Sequence, residues 1–102
     1  MVLGRVVGTV VSSGKEQRME GVKLLLVEKI SFSGKKIRGG DTVVAMDAVG
    51  AGVGEIVMYV SGSSSRMTSV TDGKPSDATI TAIVDLVDLD GKTVYDKGQA
   101  SR

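Results

Sequence analysis

The chain has no cysteine, no histidine and no tryptophan, one proline, Pro75, and three aromatic side chains, Phe32, Tyr59 and Tyr95. Without cysteine there is neither a disulfide framework nor a thiolate metal site, and a reducing compartment is compatible with the sequence. The absence of histidine removes, with cysteine, the usual zinc ligands, the commonest general base and every Cys-His or Ser-His nucleophilic pair. So few aromatics leave no broad stacking platform. No apolar run approaches the ~20 residues a bilayer-spanning helix needs. The start, Met1-Val2-Leu3-Gly4-Arg5, lacks the basic and apolar blocks of a secretion signal. A soluble cytoplasmic protein without cofactor or metal is expected.

What the chain has is valine. Of 102 residues 17 are valine, and 41% are hydrophobic; the branched Cβ suits a pleated surface better than a helix. This length makes one domain, 1–96, that buries roughly 65% of its unfolded surface and leaves little room for a deep pocket. Residues 97–102 are small and polar, a flexible tail.

Residues 2–11 alternate with both sides largely apolar, which predicts a strand buried on both faces or against a neighbouring subunit. Residues 23–30, 42–46, 56–60 and 79–87 continue the strand series, and Asp90-Gly91 reads as a tight turn into a last partner, 92–95. Residues 12–21, the basic glycine stretch 33–40 and the segment 71–77 read as loops. Serines at an N-cap predict a short helix over 63–70. The sum is an all-β fold, a small five-stranded barrel of the oligonucleotide-binding type with one short helix and a C-terminal hairpin.

Two small-residue runs follow strands: Val49-Gly50-Ala51-Gly52-Val53-Gly54-Glu55 and Gly62-Ser63-Ser64-Ser65-Arg66. The first is one residue short of the dinucleotide fingerprint and leads into a β-rich stretch, so it lacks the helix N-terminus that would hold a pyrophosphate. Its glycines allow turning or tight contact, inside the fold or between subunits. The second run offers an anion nest or a close approach of subunits. Asp47, Glu55, Asp77 and Asp85 stand at strand ends or beside glycine turns, where carboxylates accept backbone hydrogen bonds and fix the turn; Asp47 and Asp77 are expected in that role.

Net charge is +1, yet residues 1–40 carry eight basic and three acidic groups against five and nine in 41–102. Such a division gives opposite faces for head-to-tail pairing of copies, or scatters over a solvated surface.

Together with their flanks these blocks resemble a known family. Asp47-Ala48-Val49-Gly50-Ala51-Gly52-Val53-Gly54-Glu55, Gly62-Ser63-Ser64-Ser65-Arg66, Pro75-Ser76-Asp77-Ala78 and Ile83-Val84-Asp85, with the opening Leu3 to Val11 and Gly21 to Val27, are similar in kind and order to the bacterial microcompartment vertex proteins of the EutN/CcmL type. Ser65 stands where the family usually has alanine, and Ser76 where it usually has an apolar residue.

The resemblance implies the same barrel and a cyclic homopentamer. That ring fills the five-fold corners of a polyhedral shell in the bacterial cytoplasm and meets hexameric and trimeric shell proteins. It implies no enzymatic activity. It places Gly50, Ala51, Gly52, Val53, Gly54 and Glu55, with Ser63, Ser64, Ser65 and Arg66, at subunit contacts or near the axis, Arg66 crossing to Glu55 or Asp47 of the next copy. Lys35, Lys36 and Arg38 are candidates for a shell contact. The alternative for this fold is a module binding single-stranded nucleic acid, using the same basic cluster beside Phe32.

Overall fold

The computed structural model describes residues 1–11, 13, 21–34, 36–62 and 78–100. Five strands, β1 (Val2–Val10), β2 (Leu24–Ser33), β3 (Lys36–Asp47), β4 (Ile56–Ser61) and β5 (Ala78–Ile83), close a barrel in the order β1-β2-β3-β5-β4. Neighbours are antiparallel except β3 and β5, which run parallel and pair at Met46 with Thr79 and Asp47 with Ile80. Alternation drives the closure: Val6, Leu25, Val27, Ala45, Val57 and Ile80 point inward and are at most 1% exposed. Burying a Val, Leu or Ile side chain contributes about 1.5–3 kcal/mol each. Tyr59 joins them, and burial, with a smaller push from Asp41, raises its phenol above the usual 10.0.

A second apolar cluster sits outside the barrel. Ile30, Ile56 and Tyr95 form it, flanked by Leu3, Phe32, Ile37, Val84 and Val87. It seats a separate hairpin, β6 (Leu86–Leu89) with β7 (Lys92–Asp96). The expected Asp90-Gly91 turn makes it, both residues having positive φ, 52° and 74°.

Three expectations change. The stretch 33–40 is no loop: after a turn at Gly34, φ 60°, β3 begins at Lys36 and pairs with β2 from Ser33 onward. Ile37 lies opposite Phe32, and their packing on the second cluster holds this polar hairpin arm in register. The run 79–87 is two strands, because at Val84 and Asp85 the chain leaves the barrel. There the Val84 N–H donates to the Ile56 carbonyl (2.8 Å) and the Asp85 carbonyl accepts the Lys97 N–H (2.8 Å). The tail opens with a one-turn helix, α1 (Lys97–Ala100). The predicted helix 63–70, the loop 71–77 and most of the loop 12–21 lie outside the described residues.

Strand β1 buries Gly4 and Val6 on its inner side, while Val7 on the other side is 40% exposed in the single chain.

Candidate assembly site

The glycine run joins β3 to β4, and its shape is set from within the subunit. Asp47 ends β3 with its side chain 3% exposed. Its Oδ1 accepts the N–H groups of Val49 (3.0 Å), Gly50 (3.0 Å) and Ala51 (3.2 Å). Lys23 braces the same end, donating from Nζ to the Ala51 carbonyl at 2.7 Å and standing 3.7 Å from Asp47 Oδ2. Asp47→Ala strands three amides and is expected to cost about 1–3 kcal/mol, seen as a lower urea midpoint; Asp47→Asn keeps one acceptor oxygen and loses less.

Glu55 closes the other end. Its Oε1 accepts the Gly52 N–H at 2.6 Å, and its own N–H donates to the Gly52 carbonyl at 3.2 Å. The Gly54 N–H donates to the Val6 carbonyl (2.8 Å) and the Val6 N–H to the Glu55 carbonyl (2.9 Å), so the loop prolongs the β1–β4 ladder. Gly50 and Gly54 have φ of 79° and 94°, the region open to glycine.

Glu55 Oε2 meets Lys97 Nζ at 2.5 Å, tying α1 to the loop. The bond to Lys97, then that to the Gly52 N–H, holds the Glu55 carboxyl below its usual 4.5. A depressed carboxylate stabilises the fold above its unfolded pKa and ceases to do so as pH falls through the folded one. Glu55→Gln is therefore expected to flatten the acid limb of a stability–pH curve below 4.5.

The structure distributes the candidates unevenly. Val53 is 63% exposed and Val49 39%, and Gly50 and Gly54 are also at the surface. Gly52 and Glu55 are half-buried. Ala51, expected at a subunit contact, is 0% exposed and belongs to the barrel's own core, because the Asp47 and Lys23 bonds turn it inward. Lys36 and Arg38 are exposed on β3, remote from the loop in sequence and pairing. Lys35, Ser63, Ser64, Ser65, Arg66 and Asp77 lie outside the described residues. The two carboxylates expected to receive Arg66 are engaged within the chain, Asp47 by loop amides and Lys23, Glu55 by Gly52 and Lys97.

What the loop offers is a rigid, small-residue surface with two exposed valines and no uncompensated charge at Asp47 or Glu55. A sequence model of the family described as "Ethanolamine utilisation protein EutN/carboxysome" matches residues 1–85. The chain belongs to the EutN/CcmL family.

Within it, the carboxysome shell vertex protein CcmL of Gloeobacter violaceus is 42% identical over 97 residues, 95% of each chain. The solved structure of that CcmL superposes with a TM-score of 0.88 at 41% identity, covering 96% of this chain and 99% of the other. The microcompartment shell vertex protein GrpN of Rhodospirillum rubrum is 46% identical over 88 residues, 86% of this chain and 97% of its own. Its structure, described as a pentameric microcompartment shell protein, has a TM-score of 0.76 at 42% identity, with 87% and 99% covered. The nucleic-acid alternative gains no support from these relatives. The fold also weakens it, since Phe32 is half-buried against the second cluster and presents no open platform.

Proposed function

We infer that this protein is a structural vertex protein: five copies form a ring that closes a five-fold corner of a bacterial microcompartment shell. The observation that carries this is near-complete coverage by relatives named as shell vertex proteins, one of them solved as a pentamer.

The physical logic agrees. A ring of identical subunits needs two different patches per copy, set at a rotation that divides a full turn. Patches in a closed ring must hold their shape, and the glycine loop is held by five hydrogen bonds from Asp47, Lys23 and Glu55 side chains. Its exposed Gly50, Val53 and Gly54, with Gly52 and Glu55 behind them, form one part of the subunit contact in this reading. The role of the protein is shape rather than catalysis, its setting the shell in the bacterial cytoplasm, and its further partners the hexameric and trimeric tiles that surround a corner.

Native mass spectrometry tests the ring. The expected species is five times the 10.6 kDa chain; a persistent single-chain mass across micromolar concentrations contradicts the reading.

A further inference from the structure

Two faces of opposite charge flank the second apolar cluster, and strand geometry fixes what each carries. On the arm made by the β2–β3 hairpin, Phe32 and Ile37 pair and pack inward on that cluster. Side chains alternate along a strand, so Lys36 and Arg38 face the other way, and both are exposed. On the β6–β7 hairpin, Val87 and Tyr95 pair and face inward. Its outer face then carries Leu86, 50% exposed, and Asp88, with Asp85 exposed at its entrance. Arm and hairpin share this cluster, the arm with a basic outer face and the hairpin with an acidic and apolar one.

We propose that these faces are the complementary halves of the contact between neighbouring copies: the outer face of one copy's β6–β7 hairpin seats on the outer face of the next copy's β2–β3 arm. This rests on the ring reading above and assigns it a surface. Two different faces on one protomer give head-to-tail addition, which closes into a ring when the rotation between copies divides a full turn. Like faces repel, which disfavours a two-fold dimer through either of them. Leu86 supplies an apolar centre, and Asp85 and Asp88 meet Lys36 and Arg38 around it.

The arm itself calls for such a partner. Residues 38–42 of β3 are all exposed, on both faces of the strand. Among the described residues the strand pairs with β2 on one side, and on the other it meets β5 at Met46 and Asp47. A stretch bare on both faces and, among the described residues, unpaired along one edge is a liability in a lone subunit. Covered by a neighbour, it becomes an interface.

Charge exchange decides the matter, read by native mass spectrometry at low salt with far-UV circular dichroism as the control for folding. The wild-type protein is expected as the ring, Lys36→Glu with Arg38→Glu as folded monomer, and Asp85→Lys with Asp88→Lys likewise. All four together are expected to restore the ring. Leu86→Glu, which alters an exposed side chain and no hydrogen-bonded group, is expected to give the monomer on its own and serves if a charge pair unfolds. A ring that survives the reversals or Leu86→Glu overturns the assignment while leaving the ring reading intact. Survival coupled to failure to enter shells would give these faces to another tile, which also overturns it. Folded monomers from the fourfold variant overturn it as well. A wild-type monomer sinks the ring reading itself.

Discussion

Gly52→Val is expected to convert the ring into folded single chains, a five-fold drop in mass with the strand signal of circular dichroism retained. Gly52 is the one glycine of its loop at which the subunit's own fold makes no strong demand. Its φ is not in the left-handed region, unlike those of Gly50 and Gly54. An added Cβ would meet one atom within 4 Å, Glu55 Oε1 at 3.4 Å, an ordinary contact with the end of a flexible side chain. Within one subunit the substitution is expected to cost on the order of 1 kcal/mol or less.

At a contact between copies the balance differs. An added isopropyl group, three carbons where there was none, costs about 1–3 kcal/mol in a well-packed interface, and a cyclic ring repeats the clash at every contact. A valine at Gly50 or Gly54 could not make this distinction, because backbone strain would damage the monomer as well. Gly52→Ala is expected to fall between, with a ring that dissociates at higher concentration than wild type. A Gly52→Val protein of full ring mass and unchanged dilution behaviour would remove the loop from the contact.

The barrel was legible because its strands obey a period of two, with apolar residues such as Val6, Leu25, Val27, Val57 and Ile80 on the buried side, and because Asp90-Gly91 announces its own turn. The β2–β3 arm was not. Ser33-Gly34-Lys35-Lys36 and Arg38-Gly39-Gly40 carry every local mark of a loop. Only Phe32 and Ile37, brought together across the turn and onto the cluster of Ile30, Ile56 and Tyr95, make them strands. That cluster draws on strands as distant in sequence as β7, beyond the reach of any local pattern. The break at Val84 and Asp85 has the same origin, since the groups that hold it belong to Ile56 and Lys97.

At the candidate site, the glycines and Asp47 could be found in the sequence, because a carboxylate before a glycine turn has a mechanical use. Lys23 and Lys97 could not. Lys23 looks like one charge at the start of an apolar strand, and its partners Asp47 and Ala51 lie at the end of β3 and just beyond it. Lys97 falls in a stretch whose composition reads as tail, yet it neutralises Glu55. Small size at Ala51 was equally ambiguous, since it suits a tight interface and a tight core alike, and the structure chooses the core.

The same ambiguity makes Gly4 the position where a single methyl group is expected to do the most harm to the subunit itself. In sequence Gly4 is one small residue in an alternating strand. In the barrel it is the gap into which two core side chains fit. A Cβ there would lie 2.5 Å from Val27 Cγ1, 2.9 Å from Tyr59 Cε1 and 3.1 Å from the Glu28 carbonyl oxygen. None of the three can yield easily: Val27 is 0% and Tyr59 4% exposed, and the third is backbone in the β1–β2 ladder, where Gly4 pairs with Lys29. Gly4→Ala is therefore expected to cost about 1–3 kcal/mol by overpacking, a fall in Tm on the order of 5–20 °C for a domain of this size. Gly4→Val, with two further methyl groups and no cavity to take them, is expected to remove a large part of the ~5–15 kcal/mol that holds a typical domain together and to leave little soluble folded protein. Because assembly raises apparent stability through mass action, the comparison belongs in a Gly52→Val background at fixed concentration. A Gly4→Ala chain melting within a degree or two of its parent would show that the β1 wall is looser than the positions of Val27 and Tyr59 imply.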